Sequence, residues 1–75
     1  MSMKDFSLQK RIGNRVKELR AKTELSQEQL GLQAGLDRTY INSVENGRRN
    51  VSVNTLAKIS YALGASLTED LITEE

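Results

Sequence analysis

The sequence contains no cysteine, no histidine and no proline, and aromatic residues make up only 4% of its 75 residues. Without cysteine there is no disulfide, and without cysteine or histidine the usual zinc sites are excluded. The same absences remove common nucleophiles and general bases of enzymes, and neither a Walker loop nor a GxGxxG loop is present. We therefore expect neither an enzyme nor a metal or other cofactor.

Long hydrophobic runs are also missing. No apolar segment approaches the roughly 18 residues that a membrane span needs, and residues 1–5 contain no signal-peptide core. We therefore expect a cytoplasmic protein with no membrane partner. Hydrophobic residues still make up 37% of the sequence, which is enough for one folded domain over residues 1–75. A core of this size supplies only about 3–5 kcal/mol, so self-association is the expected additional stabiliser.

The net charge of +1 is divided unevenly along the chain. Residues 1–50 carry 10 Lys/Arg and 6 Asp/Glu, a net charge of +4. Residues 51–75 carry Lys58 and four acidic residues, a net charge of −3. The basic part is consistent with binding to a polyanion. Charge alone does not separate nucleic-acid binding from an ordinary solvated helix surface.

Hydrophobic residues recur at helical spacing between turn signals, which predicts an all-α fold of five helices. Five residues are the expected N-caps of these helices: Ser7, Ser26, Asp37, Ser52 and Ser66. Gln29 and Glu69 complete capping boxes with the second and the last of them. Gly35, Gly47 and Gly64 are the expected stops of the middle three helices. The fifth helix is predicted at about 66–73.

The second and third helices, within residues 27–46, have the pattern of a helix-turn-helix. Gly31 lies inside the second helix, where glycine costs roughly 0.5–1 kcal/mol relative to alanine, and close approach of the next helix would offset this cost. Gly35 supplies the turn. Five apolar residues are expected to fill the angle between the helices: Leu30, Ala34, Leu36, Ile41 and Val44. The predicted fold is a compact five-helix domain that contains a helix-turn-helix.

The third helix is expected to turn Ile41 and Val44 inward and to present short polar side chains on its opposite face. A helix of this kind fits the major groove, where its first turns reach base edges. Arginine can bond guanine O6 and N7, a threonine methyl can contact thymine, and asparagine can pair with adenine. Each residue alone is more simply a solvated polar position, but the set favours a DNA-reading helix. The predicted base or groove contacts are Arg38, Thr39, Tyr40, Asn42 and Ser43.

Residues at two helix N-termini, and in the loop after the DNA-reading helix, are expected to bind phosphates. Free N–H groups and the helix dipole attract anions at a helix N-terminus. Arg48 and Arg49 directly follow the third helix, which favours phosphate contact over a merely solubilising loop. The predicted phosphate contacts are Ser26, Gln27, Asn46, Arg48, Arg49, Asn50 and Ser52.

Residues 25–30 and 45–47, followed by Leu56 and 62–64, resemble the Cro/repressor (XRE-type) helix-turn-helix family, and the resemblance extends over residues 10–66. The runs GLDRTYI and ENGRRNVS are similar to the controller proteins of restriction–modification systems. The resemblance implies a lambda-repressor-like fold. It also implies a homodimer that binds palindromic sites upstream of its own operon, activating at low occupancy and repressing at high. Base or groove contacts are implied for Arg38, Thr39, Tyr40 and Ser43, and DNA-backbone contacts for Gln27, Asn50 and Ser52.

Two protein contacts are also expected. Leu67, Leu71 and Ile72 cannot all be buried in so small a monomer, so we expect them, with Tyr61, to meet a two-fold partner rather than to cap the core of their own chain. Two DNA-reading helices would then face half-sites roughly 34 Å apart, and two dimers could occupy one operator. Glu28 matches a position that relatives use to contact the sigma subunit of RNA polymerase.

Other functions of the same fold remain open at this stage. A phage-type repressor or an antitoxin-like regulator would present a similar surface, and the residues do not separate these from a controller. A protein–protein adaptor is a different class of function. Arg38, Arg48 and Arg49 argue against an adaptor, because it needs no cations around the third helix. The expected location for a DNA-binding regulator is the bacterial nucleoid.

Overall fold

The computed structural model of the protein describes residues 3–65, and side chains from residue 8 onward. This range contains four α-helices: α1 (Met3–Thr23), α2 (Gln27–Ala34), α3 (Arg38–Glu45) and α4 (Val53–Leu63). The all-α helix-turn-helix class is confirmed, but the prediction of five helices is wrong, since the structure has four over residues 3–65. The segment predicted as a fifth helix, 66–73, lies outside the described residues. A capping box indicates where a helix can begin, but most of the stability of a short helix comes from tertiary packing.

The first helix begins earlier than the sequence predicts. It starts at Met3, so Ser7 lies inside α1 and is not its N-cap. No proline or glycine precedes Ser7 to stop the helix, and serine is only mildly unfavourable in a helix interior. At the other end, Glu24 has a φ of 62° and turns the chain out of α1. The Leu25 backbone N–H then donates to the Arg20 carbonyl at 3.3 Å.

The caps of α2 are those that the sequence predicts. The Gln29 backbone N–H donates to Ser26 Oγ at 3.0 Å, and the Ser26 N–H donates to Gln29 Oε1 at 2.8 Å. Gly35 ends the helix with a φ of 73°, a left-handed conformation that glycine adopts without steric cost. These two caps fix both ends of α2, and therefore fix the turn that leads into α3.

The caps of α3 and α4 agree with the prediction only in part. Asp37 occupies the N-cap position of α3, but its side chain makes no capping hydrogen bond. Ser52 Oγ accepts a hydrogen bond from the Thr55 N–H at 3.1 Å at the start of α4. Gly64 closes α4 with a φ of 69°. The connection between α3 and α4 therefore ends in a firmly capped helix.

Eight buried hydrophobic residues from all four helices form the core: Val16, Leu30, Ala34, Ile41, Val44, Leu56, Ile59 and Leu63. Two helical glycines allow the backbones to pack closely around it. A Cβ at Gly31 would lie 2.5 Å from the Leu36 carbonyl oxygen, so the predicted close approach is present, although the neighbour is the turn rather than α3 itself. A Cβ at Gly13 would clash with the Val44 carbonyl oxygen, a contact between α1 and α3 that the sequence analysis missed.

The helices also bear on the question of a membrane. Over residues 3–65, none of them combines the length and the apolar character that are needed to cross one.

Candidate nucleic-acid interface

Helix α3 divides into a buried side and a polar side. Ile41 and Val44 are buried, as the helical pattern predicts. The opposite side, here called the reading face, consists of six residues, of which four are exposed (Arg38, Thr39, Asn42 and Asn46) and two are half-buried (Tyr40 and Ser43). All five predicted base or groove residues therefore belong to this surface, and Tyr40 lies at its edge, where it also packs against the hydrophobic core. Whether they touch DNA stays a prediction.

A buried ion pair holds α3 against α1. Glu45 is 5% exposed, and its Oε2 accepts from Arg20 Nε at 2.6 Å while its Oε1 accepts from Arg20 Nη2 at 3.0 Å. Arg20 Nη1 also donates to the Leu25 carbonyl oxygen at 2.9 Å. The hydrogen bond to Glu45 raises the pKa of Arg20 above its ordinary value, against the opposing effect of burial. Two planar groups that meet bidentately define the position of α3 closely.

Sequence reasoning missed this pair, although one signal was available. Glu45 is four residues after Ile41, and therefore lies on the inward side of α3. A buried carboxylate needs a cation or hydrogen-bond donors. Arg20 lies four residues after the buried Val16 and could have been proposed as the partner. The 25-residue separation is what hides the pairing from local patterns.

Gln27, a predicted phosphate contact, is tied to α3 by its side chain. Its Nε2 donates to Glu45 Oε1 at 3.0 Å, and its Oε1 accepts from Asn42 Nδ2 at 3.4 Å. Asn46 Nδ2 donates to the Asn42 carbonyl oxygen at 2.9 Å and to Asn42 Oδ1 at 3.2 Å. Side chains at the start of α2 and along α3 therefore form one hydrogen-bonded chain that leads to the ion pair.

The loop from Gly47 to Ser52 brings two arginines beside the reading face. The Arg49 guanidinium lies over the Tyr40 ring, with Cζ 4.6 Å from the ring centroid, which is a cation–π contact. Arg48 and Asn50 are exposed. The Arg48 backbone N–H donates to the Ser43 carbonyl oxygen at 3.0 Å, which keeps the loop close to the end of α3. The structure thus places the predicted cations next to α3.

The remaining predicted phosphate contacts are partly engaged in caps. Ser26 Oγ accepts the capping hydrogen bond of α2. Ser52 Oγ accepts from the Thr55 N–H and donates to Thr55 Oγ1 at 3.0 Å. Beside Asn50, a cavity of about 240 Å³ separates the loop from α1 and is lined by Leu8, Gln9, Ile12, Arg49, Asn50 and Val51. Both serines therefore cap the N-terminus of a helix, and whether they also contact phosphates stays a prediction.

The described residues that are predicted to contact proteins lie on α4 and α2. Tyr61 is 88% exposed on α4, and Val53 is 70% exposed two turns before it. Glu28 is exposed in the first turn of α2. Leu67, Leu71 and Ile72, the other predicted dimer contacts, lie outside the described residues. Only Tyr61 of the predicted dimer set is therefore placed by the structure.

The family model described as helix-turn-helix (HTH_3) matches residues 16–69, a range that includes α2, the turn and α3. The chain belongs to this helix-turn-helix family. The predicted family and the predicted class of function, a DNA-binding transcriptional regulator, are confirmed by this membership.

Relatives of this helix-turn-helix protein include control proteins. It is 57% identical over 60 residues to control protein C.MunI of a Mycoplasma species, covering 79% of this chain and 81% of that one. It is 47% identical over 53 residues to control protein C.BamHI of Bacillus amyloliquefaciens, covering 69% and 65% respectively. Its fold matches the crystal structure of the restriction-modification controller protein C.AhdI from Aeromonas hydrophila with a TM-score of 0.79 and 43% identity, covering 81% of this chain and 92% of that one.

Proposed function

We propose that the protein is a controller of a restriction–modification operon and that it binds palindromic operator DNA as a homodimer. It would act by binding DNA, without catalysing a reaction, at the nucleoid in the cytoplasm. The observation that carries this proposal is the reading face itself. Short polar side chains and Arg38 cover the exposed side of an eight-residue helix, and Arg48 and Arg49 flank it. The similarity to three control or controller proteins supports the assignment to a restriction–modification operon.

Base recognition is assigned to the N-terminal half of α3 and to one residue of its last turn. Arg38 is exposed at the first position of the helix, where a side chain reaches furthest into a groove. Thr39 and Ser43 lie one turn apart and offer a methyl or a hydroxyl to base edges. Tyr40 is held by Arg49, so it would enter the groove as a rigid ring.

Phosphate contact is assigned to residues that surround α3. The N-termini of α2 and α4 are capped by Ser26 and Ser52, and the backbone N–H groups and helix dipoles at these ends would attract phosphates, as would the exposed Arg48 and Asn50. Gln27 and Asn46, which both hydrogen-bond to Asn42, complete the proposed set. Contacts of this kind fix the position of the protein on DNA without reading sequence.

A dimer through α4 is supported by an exposed stripe on that helix. Val53, Ala57 and Tyr61 are spaced four residues apart, and all three are exposed. Residues at this spacing lie above one another on a single helix face. A two-fold axis beside this stripe would bury Tyr61 of both chains and present two reading faces to successive turns of one face of the duplex.

Activation is proposed to use Glu28. Its carboxylate is exposed at the start of α2, on a helix whose N-terminus faces DNA in this proposal. A protein partner could therefore contact Glu28 while the duplex is bound. We propose that this partner is the sigma subunit of RNA polymerase. We also propose that occupancy of the operator by two dimers changes activation into repression.

Binding to the DNA upstream of the protein's own reading frame tests this function. The purified full chain is titrated onto that duplex, and onto a shuffled duplex of equal composition, at two salt concentrations. We expect selective binding to the upstream duplex, with two or four chains per duplex by native mass spectrometry. Equal, strongly salt-dependent binding to both duplexes would contradict a sequence-specific regulator of its own operon, since that behaviour comes from phosphate contacts alone.

A further inference from the structure

Asn46 and Gly47 form the only Asn-Gly pair in the sequence. Glycine obstructs its own backbone nitrogen less than any other residue, because it has no side chain. An asparagine that precedes glycine is therefore the one most prone to spontaneous deamidation. Asn46 is exposed at the C-cap of α3 and belongs to the reading face. The pair thus places a reactive amide on the surface that faces DNA in the proposed function.

The reaction needs only the chain itself, base and water. Base removes the proton of the Gly47 N–H, and this nitrogen attacks Cγ of the Asn46 side chain. The bond from Cγ to Nδ2 breaks, the side-chain nitrogen takes up a proton and leaves as ammonia, and a cyclic succinimide remains. Water then opens the ring at either carbonyl group, which gives aspartate or isoaspartate. Both products carry a carboxylate in place of a neutral amide.

The folded chain engages both groups that must react. The Gly47 N–H donates to the Val44 carbonyl oxygen at 3.0 Å. Asn46 Nδ2 donates to the Asn42 carbonyl oxygen at 2.9 Å and to Asn42 Oδ1 at 3.2 Å. Attack therefore requires the C-cap of α3 to open, because the backbone nitrogen and the side chain have to leave these partners.

Two further contacts hold the same end of α3 closed. Gly47 is buried against α1, since a Cβ at this position would lie 2.8 Å from Lys10 Cγ and 3.1 Å from Lys10 Cα. Glu45, the residue before Asn46, is held by Arg20 through the bidentate ion pair. Local opening of a segment costs the free energy of the contacts that it breaks. The packing of α1 against the end of α3 therefore limits the rate of the reaction.

We propose that Asn46-Gly47 is a site of spontaneous deamidation, that the closed C-cap of α3 restrains it, and that its conversion weakens DNA binding. The effect on binding rests on the proposed function, whereas the chemical site does not. A carboxylate at this position would be repelled by phosphates, and the helix dipole disfavours a negative charge at a helix C-terminus. An ionised carboxylate also cannot donate to the Asn42 carbonyl oxygen, so the hydrogen bond at the C-cap is lost.

Peptide mass spectrometry of the full-length protein tests the chemical site. The protein is kept at about pH 8, in native buffer and in concentrated guanidinium chloride, and is then digested with trypsin. Residues 39–48 form one tryptic peptide that contains both Asn42 and Asn46, so Asn42 is an internal control. In denaturant Asn46 should convert faster than Asn42, and in native buffer it should convert at least about tenfold more slowly than in denaturant.

Two results of this measurement would contradict the proposal. Equal rates for Asn42 and Asn46 in denaturant would overturn the assignment of the site. Equal rates for Asn46 in native buffer and in denaturant would overturn the restraint by the C-cap.

Loosening the end of α3 tests the restraint directly. Arg20→Met removes the bidentate partner of Glu45, so Asn46 should convert at least about fivefold faster in native buffer than in the wild type. Arg15→Met removes an exposed pair on the same helix and should leave the rate unchanged. If Arg20→Met shows no thermal melt, Glu45→Gln, which also breaks the ion pair, takes its place. A native rate no faster than that of Arg15→Met would overturn the role of α1 in the restraint.

Asn46→Asp represents one product of the reaction and tests the effect on DNA binding. Its affinity for the duplex upstream of the reading frame should fall at least about tenfold. Gln33→Glu changes an amide into a carboxylate at an exposed site of α2 and should have little effect. Equal affinities of Asn46→Asp and the wild type would overturn the loss of binding. A wild type that binds upstream and shuffled duplexes equally would contradict the proposed function, while the mass measurements would still decide the chemical site.

Discussion

Removing the charge of Arg20 should destabilise the domain far more than removing a comparable charge on its surface. In Arg20→Met the aliphatic part of the side chain is kept, but Glu45 loses its bidentate partner while it stays buried, with a side chain only 2% exposed. Breaking a buried pair from one side costs about 3–5 kcal/mol. Gln27 still donates to Glu45, so we expect the lower end, about 3 kcal/mol.

A loss of this size is a large part of the stability of a chain of 75 residues. Such a domain has a free energy of unfolding of about 4–11 kcal/mol in total. A loss of about 3 kcal/mol lowers the melting temperature by about 12–24 °C at this chain length. Urea unfolding and thermal melts followed by far-ultraviolet circular dichroism measure both quantities.

Arg15→Met is the matched control for Arg20→Met. Arg15 pairs with Glu18 at 2.8 Å on the same helix, but the two side chains are 37% and 64% exposed. An exposed pair of this kind contributes about 0.3–0.5 kcal/mol. If Arg20→Met were no more destabilising than Arg15→Met, the argument that the buried pair holds α3 in place would be refuted.

The dependence of this loss on pH has a defined sign. The hydrogen bond to Glu45 raises the pKa of Arg20 above its ordinary value. The ionisation of Arg20 therefore contributes stability that is fully present below the ordinary pKa of arginine and is lost only as the pH rises through the raised pKa of the folded state. The difference in unfolding free energy between wild type and Arg20→Met should be the same at pH 6 and pH 9.

Three further substitutions test contacts elsewhere in the molecule. Gly13→Ala should lower the unfolding free energy by about 1–3 kcal/mol, because the added Cβ would meet the Val44 carbonyl oxygen. Asn14→Ala, on the exposed side of α1, should not lower it. Equal thermal melts of the two variants would exclude the close contact at Gly13. Tyr61→Asp should raise the dissociation constant of the proposed dimer at least about tenfold, as measured by sedimentation, and Lys58→Ala should leave the dimer intact. A dimer that is unchanged in Tyr61→Asp would exclude α4 as the interface. Glu28→Ala should bind operator DNA normally but activate transcription poorly, with unaltered activation contradicting the polymerase contact.

The features that the sequence predicts correctly are those set by neighbouring residues. The Ser26–Gln29 capping box, the left-handed Gly35 and the inward Ile41 are all determined within one or two turns of helix. The start of α1 was predicted wrongly because Ser7 resembles a cap although it lies inside the helix. A residue that resembles an N-cap therefore does not by itself fix where a helix begins.

The features that the sequence does not reveal depend on contacts between distant segments. Gly13 is required by the backbone of α3, about thirty residues later, and nothing beside it in the sequence indicates that contact. Glu45 pairs with Arg20, which lies 25 residues earlier in the sequence, and accepts a hydrogen bond from Gln27, which lies 18 residues earlier. The reading face could be predicted from the pattern of α3, but the hydrogen bonds that orient Asn42 could not.

In the proposed function, α3 reads bases while the loop that follows it contacts the DNA backbone. The affinities of Arg38→Ala and Arg48→Ala for the operator and for a shuffled duplex, measured over a range of salt concentrations, test these two roles. Arg38→Ala should lose about 1–3 kcal/mol on the operator only. Arg48→Ala should weaken binding to both duplexes alike and reduce the slope of log affinity against log salt by about 0.9. Equal losses on both duplexes for Arg38→Ala would show that Arg38 does not read bases.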